Sequence, residues 1–416
     1  MLRNRKNFLY VCAFFFSLAG SILGLSLIYR LADRFLFTPA KIGAFVALGQ
    51  LFYFLGCNAY QYFGSRFDPA KVFNVTSIIV FLSSIPLGFT RTPVLAYAAF
   101  WILQFSTGLF WPPIMAWLTG GLSMEELNRK IGIYNRSWVA GNILGPLISG
   151  ALYQWKSGLD FIVLGACYFL VIPLLRIMQQ NSRRSSVAAA SPASPAGVTN
   201  PEDAVNTGHA EAANTANPKA AIAADKKLDL YRYRGWISAL SSTVFMGVLA
   251  NVFPLHVRDG LGYSERSAGF ILFLRSIAGF AGFAILARFT AWHFNRRWMM
   301  ILQYGLLLCT LFLMFAGSRL YFYAFVVIIY GFINAACYNN SMFHSGATGK
   351  NIKKNLALHE IFMCIGAAAG TVLGGYFYQH FRFTGTCIVL FLAISAGLGI
   401  LIFLDRREAR INSALF

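Results

Sequence analysis

The stretch Gly141-Asn142-Ile143-Leu144-Gly145-Pro146-Leu147-Ile148-Ser149-Gly150 decides how the rest of the chain is read. It lies inside an apolar run long enough to span a bilayer. Its glycines are four and five residues apart, so they fall near one helix face and admit another helix backbone at close range. Pro146 interrupts the hydrogen-bond ladder, which a membrane helix tolerates where neighbours re-satisfy the freed carbonyl. The stretch also has an echo. Adding 225 to Gly141, Gly145 and Gly150 lands on Gly366, Gly370 and Gly375. The same offset carries Tyr153-Gln154 to Tyr378-Gln379, and Lys41 and Phe45 to Arg266 and Phe270. With 37 glycines in 416 residues, one offset shared by such distant positions predicts a duplicated membrane unit.

Composition agrees. At 57% hydrophobic and 12% charged, with 40 Phe, the chain is no soluble domain with a single core; its apolar runs are each long enough to cross about 30 Å of hydrocarbon. The net charge of +20 is read as topology rather than nucleic-acid binding. With both ends in the cytoplasm, the cytoplasmic segments hold 25 of the 35 Lys and Arg, the opposite loops hold 9, and Arg275 alone falls inside a span. That asymmetry is what membrane insertion produces. All seven cysteines lie in apolar runs without paired spacing, so neither disulfides nor a metal site is expected. The basic start Arg3-Asn4-Arg5-Lys6 precedes an apolar run too long for a signal peptide, and a retained first helix is expected.

Apolar runs occur at about 8–30, 41–63, 72–90, 94–118, 133–153 and 159–177, then at about 236–257, 266–287, 298–316, 320–345, 356–378 and 384–404. The expected fold is an all-α integral membrane protein with twelve transmembrane helices, arranged as two six-helix pseudo-symmetric bundles over 1–177 and 236–416. Between them, 178–235 is rich in Ala, Pro, Ser and Asn and reads as a disordered cytoplasmic linker. Its end, Lys226-Lys227-Leu228-Asp229-Leu230-Tyr231-Arg232-Tyr233-Arg234, suits a segment on the anionic inner leaflet or a plain juxtamembrane stop.

Two six-helix halves, a long central loop and Gly141-x3-Gly145-Pro146-x3-Gly150 on the fifth run together resemble the major facilitator superfamily of secondary transporters. The fifth-run motif is similar to that of its antiporter branch, with Ser149-Gly150 in place of a glycine pair and Thr371 replacing the proline in the echo. The resemblance covers nearly the whole chain apart from the linker. The superfamily's loop between helices two and three corresponds to Gly64-Ser65-Arg66-Phe67-Asp68-Pro69-Ala70-Lys71. Arg66 matches its basic position, whereas Ser65 replaces its acid and Asp68 its second glycine. The resemblance implies a cytoplasmic latch there, weakened or shifted to Asp68.

An ionisable residue within a bilayer is costly and therefore a functional candidate. Arg275, about 15 Å into its helix, reads either as an anion-binding group with a fork of donors or as a structural Arg capping a broken helix. The offset pairs it with Gln50. Glu360, beside His359, is the one acid well inside an apolar run. An acid removed from water can take and lose a proton, as proton coupling requires; the plain alternative is an acid favoured at a helix N-terminus. Arg136 occupies the matching start of the fifth run and could pair with Glu360 as a cytoplasmic gate. Arg30 and Asp33 could form an opposite gate, or Asp33 could be a solvated helix end.

On the fourth run, Trp101, Gln104, Gly108 and Trp111 share a face, as do Asn334, Tyr338, Ser341 and Ser345 on the tenth. The resemblance implies that these two helices line a central cavity, so Gln104, Trp111, Asn334, Tyr338 and Ser341 join Arg275 and Gln50 as expected substrate contacts. Packing or lipid contact is the alternative for the Trp stripe. No Gly-x4-Gly-Lys-Ser/Thr sequence points to ATP, and no metal or cofactor is expected.

The expected function is alternating-access secondary transport of a small molecule, proton-coupled, as an exporter or carrier of an organic anion. Uptake of a neutral sugar-like solute and a transport-dead sensor or scaffold are the alternatives, and a membrane enzyme using His359 and Glu360 lacks a nucleophile. The expected partners are a small-molecule substrate, protons or another coupling ion, and the bilayer, with no nucleic acid, in a protein working as a monomer in the bacterial inner membrane.

Overall fold

The computed structural model describes residues 2–63, 66–67, 69–119, 124–156, 158–189, 218–347 and 352–413. It is all-helical among them: α1 (Leu2–Phe35), α2 (Pro39–Phe63), α3 (Pro69–Phe89), α4 (Pro93–Thr119), α5 (Met124–Trp155), α6 (Leu159–Ala189), α7 (Pro218–Leu255), α8 (Glu265–Leu286), α9 (Arg296–Met314), α10 (Leu320–Ala347) and α11 (Ile352–Ser413). A π-helical turn, His256–Gly260, extends α7, and a 3-10 turn, Ala291–Phe294, precedes α9. The backbone of α11 leaves the helical region at Arg382 (φ 58°, ψ −163°), so it has two limbs, 352–381 and 383–413.

Ten of these helices are long and apolar enough to cross a membrane, and the last such stretch, Lys354–Ala409, is 56 residues long. At about 1.5 Å per residue that is far more than one crossing needs. The expected fifth span is not among the ten. Asn135, Arg136, Ser137, Asn142 and Gln154 dilute the apolar content of α5, and it is held instead by packing.

The expected linker is shorter than its composition suggested. The end of α6 and the start of α7 are helical through Ala189 and from Pro218; the start of α7 is Ala-rich and propagates the helix of its packed segment, whereas the end of α6, Gln179-Gln180-Asn181-Ser182-Arg183-Arg184, is a polar continuation of its span. Residues 190–217 lie outside the described residues. The basic-aromatic end of the linker does not lie on the lipid surface either. Arg234 is 1% exposed and bridges Asp405 and Glu408 of α11, and the guanidinium lies over the Tyr231 ring. Two carboxylates and a ring offset the desolvation of the buried charge. Nearby, His293 of the 3-10 turn hydrogen-bonds Asn340 and stacks on Phe343. Burial pushes its imidazole down to about 3, so it stays neutral.

The glycines of the opening stretch work as their spacing predicts. A side-chain carbon at Gly141 would strike the Phe14 carbonyl, and one at Gly145 would strike Ser21, both on α1. At Gly150 it would meet the Glu265 carbonyl and Arg266 at the start of α8. The echo repeats this geometry. Gly370 abuts the Val244 carbonyl of α7, and Gly375 abuts the Pro39 carbonyl and Ala40 at the start of α2. Gly269 meets the Pro146 carbonyl, and Gly43 meets the Thr371 carbonyl. Thus α5 is wedged between α1 and α8, and the first limb of α11 between α7 and α2.

Gly375→Ala should lower the apparent melting temperature of the detergent-solubilised protein, because the new methyl meets backbone that cannot rotate away; overpacking of this kind costs about 1–3 kcal/mol. Gly24→Ala, where nothing lies within 4 Å, should leave it unchanged. Equal melting curves for the two variants would contradict the close-packed seam.

Candidate functional site

Three clusters bring the candidate residues together. The first surrounds Arg275. Its Nη1 donates to Met246 Sδ of α7 at 3.2 Å, a weak acceptor for a cation, and its charge lies near the Tyr330 hydroxyl of α10. Tyr330 in turn donates to the Ser242 carbonyl (2.8 Å), and Ser242 Oγ donates to Asn334 Oδ1 (2.8 Å). Asn334 is therefore engaged between α7 and α10. Among the described residues no carboxylate lies within 4.0 Å of Arg275. The guanidinium is half-buried, as is Gln50 on α2.

The second cluster joins α2, α5, α10 and α11. Glu360 accepts a hydrogen bond from Tyr53 of α2 at 3.2 Å, across 307 residues of sequence. Cys57, Cys364, Tyr134 and Tyr338 lie within its electrostatic reach. Glu360 is thus an interhelical group eight residues into α11 and not a plain helix-start acid. Beside it, His359 Nδ1 shares a 2.8 Å hydrogen bond with Ser341 Oγ, and its ring sits edge-on to Tyr338 at 5.0 Å. His359 Nε2 is buried with no hydrogen-bond partner. Tyr338 also packs against Trp138 of α5 and Phe283 of α8. Ser341 and Ser345 are fully buried, Ser345 accepting from Trp236 Nε1, so they face α7 and α11. Asn339, 1% exposed, has neither side-chain polar atom paired.

Arg136 does not complete this cluster. Its Nε donates to the Gly132 carbonyl one turn back at 3.2 Å, and it makes no ion pair with Glu360 among the described residues. The expected pairing is not made: Arg136 bonds within its own helix and Glu360 bonds Tyr53 across the α2–α11 seam.

The third cluster lies at the end of the bundle opposite the start of α7. The gate expected between Arg30 and Asp33 is built differently: Asp33 pairs with Arg258 of the π-turn at 3.0 Å, and the two are 225 residues apart, equivalent positions under the glycine offset. Tyr153 of α5 donates to Asp33 at 2.7 Å. Arg258 also pairs with Asp259 (2.7 Å) and lies 3.8 Å from Glu265 of α8, with its guanidinium over the Tyr29 ring. Four helices meet in this network, and it sits on a π-turn, a local feature often found at functional positions. Arg30 instead donates to the Thr90 carbonyl (3.3 Å).

The remaining candidates have simpler settings. Gln104 is half-buried. Trp111 packs edge-on to Phe16 of α1 and Tyr134 of α5, and Trp101 stacks on Phe52 of α2. Arg66 is exposed over the Phe63 ring, and Asp68 lies outside the described residues. No group of three metal-ligating side chains occurs among the described residues. Sequence reasoning missed Tyr53 and Arg258. Nothing local marks Tyr53, whereas adding 225 to Asp33 would have found Arg258.

No curated protein matches the chain. The sequence model of the Major Facilitator Superfamily matches residues 9–348 and matches again over 236–414. With the helices and the close glycine seams already described, this match, which covers most of the chain, shows that the protein belongs to the major facilitator superfamily, membrane transporters that bind small-molecule substrates within the membrane.

Proposed function

We propose that the protein is a twelve-span secondary transporter that moves a small organic anion by alternating access and couples it to protons. The observation that carries the anion reading is Arg275, a half-buried guanidinium deep in α8 that donates to a thioether and has no carboxylate within ion-pair distance among the described residues. A buried cation left in that state is stabilised by a ligand that brings its own negative charge. A carboxylate or phosphate matches the planar fork of donors. Gln50, at the equivalent depth, would hold the neutral part of the same molecule, with Gln104 and Trp111 on the facing helix.

Glu360 is the proposed proton carrier. It lies where α11 meets α2, and its hydrogen-bond donor, Tyr53, would belong to the opposite half. Rocking of the halves would make and break that hydrogen bond, so the proton affinity of Glu360 would follow the conformational state.

The two-half architecture is supported by the matched contacts: Gly150 on the start of α8 against Gly375 on the start of α2, and the Pro146 carbonyl on Gly269 against the Thr371 carbonyl on Gly43. The two limbs of α11 would supply the last two spans. Asp33, Arg258, Glu265 and Tyr153 would form the gate at the face away from the cytoplasm, given the Lys and Arg asymmetry that puts both termini inside. In this reading the protein sits in a bacterial inner membrane, closed at that outer face.

Arg275→Gln should weaken binding of a carboxylate or phosphate ligand at least about 10-fold, the equivalent of losing one charge-assisted hydrogen bond. Arg275→Lys should fall between it and wild type, because it keeps the charge and loses the fork. Ligands would be drawn from a thermal-shift screen of organic anions, sugars and drugs, and affinities measured for all three proteins. Equal affinities would end the anion reading in favour of a neutral solute. Glu360→Gln should abolish concentrative uptake into proteoliposomes while leaving counterflow, since exchange requires no net proton movement. Undiminished accumulation by this variant would remove Glu360 from the coupling step.

A further inference from the structure

A cleft of about 370 Å³ opens at the end of the bundle that carries Asp33 and Arg258, but on the flank formed by α1, the α3–α4 turn and the α5–α6 turn. Its lining includes three arginines, Arg30, Arg34 and Arg91, together with Phe89, Asp33 and Tyr153. The acids there offset this charge only in part. Asp33 is held by Arg258 and Tyr153. Asp160, the other acid on this side, is fully buried, accepts from the Gly158 amide and acts on Arg30 from beyond ion-pair distance. Among the described residues no carboxylate lies within 4.0 Å of Arg30, Arg34 or Arg91.

Arg30 gives the cleft a built floor rather than a loose surface charge. It is 8% exposed, braced by the Thr90 carbonyl and stacked over Phe161. Its Nε is buried without a hydrogen-bond partner. A fixed, largely buried guanidinium in the lining, with two exposed arginines beside it, gives the cleft several charged donors for a single acceptor group.

We propose that this cleft is a binding site for a phosphate group, distinct from the Arg275 cluster and independent of the transport reading. Three guanidinium forks can donate to several oxygens at once, which suits a tetrahedral oxyanion better than a halide. The volume admits a phosphoryl group with part of the body that bears it. The phosphate arrives either as a free anion or as the headgroup of a lipid, since Phe89 on the cleft's lip is 57% exposed and can meet acyl chains.

The test uses the full chain in maltoside micelles, which contain no phosphate, with inorganic phosphate as one probe and phosphatidylglycerol as the other. Arg34 and Arg91 are exposed, so Arg34→Gln with Arg91→Gln should fold normally; if it does not, Arg91→Gln alone takes its place with a smaller expected loss. Calorimetry should show saturable phosphate binding to wild type, at least about 10-fold weaker in the double variant, with chloride unable to substitute at equal ionic strength. If phosphate fails to bind but native mass spectrometry finds phosphatidylglycerol retained by wild type and lost from the variant, the source is a lipid headgroup and the site stands. Indistinguishable behaviour of wild type and variant towards both probes would overturn the proposal.

Discussion

Backbone meeting backbone at glycine is the constraint on which the rest of this structure depends. In water, helices are driven together by apolar surface; in hydrocarbon that force is absent, and close van der Waals contact has to replace it. Gly145 and Gly370 let α5 and the first limb of α11 settle onto α1 and α7, and Gly150 and Gly375 let the same two helices reach α8 and α2. A side chain at any of these positions would push two helices apart. If the chain is two halves as proposed, the same helices serve the packing within each half and the contact across halves, and the seams are where relative motion would be guided.

Polar contacts tie these seams together at several points. The Tyr53–Glu360 hydrogen bond crosses α2–α11, Trp138 and Tyr338 cover α5–α8, and the Asp33–Arg258 network closes one end. At the other end, Arg234 with Asp405 and Glu408 ties the start of α7 to the tail of α11. Exposed ion pairs such as Asp33–Arg258 are individually weak. That weakness suits the proposed gate, which would have to open on a thermal timescale, whereas the buried Arg234 cluster suits a fixed strut.

Much of the fold was legible in the sequence because membrane helices are long and glycine spacing is periodic. The offset of 225 marked Gly150 and Gly375 as equivalent positions before any coordinates, and it held the Asp33–Arg258 pair without that pair being recognised. What was illegible depends on side-chain reach between distant helices. Tyr53 carries no mark that distinguishes it from the other tyrosines, and Arg136 looked like the natural partner of Glu360 until its own helix claimed it through Gly132. Composition misjudged the linker ends, because the Ala-rich start of α7 extends its packed helix and the polar end of α6 continues its span. It also overrated α5 as an apolar span, since that helix is selected for close packing more than for hydrophobicity.

The central claim is that two equivalent halves rock about the α2–α11 and α5–α8 seams, with the Asp33–Arg258 network holding one end shut. Spin labels at Val94 and Tyr321, both exposed beyond the closed end, and in a second sample at Lys71 and Arg296, exposed at the opposite end, allow each distance to be measured by pulsed electron resonance. Replacing Asp33 by Asn should lengthen the Val94–Tyr321 distance and shorten the Lys71–Arg296 distance in the same population. Lengthening at one end with no change at the other, or no change at either, would contradict the account.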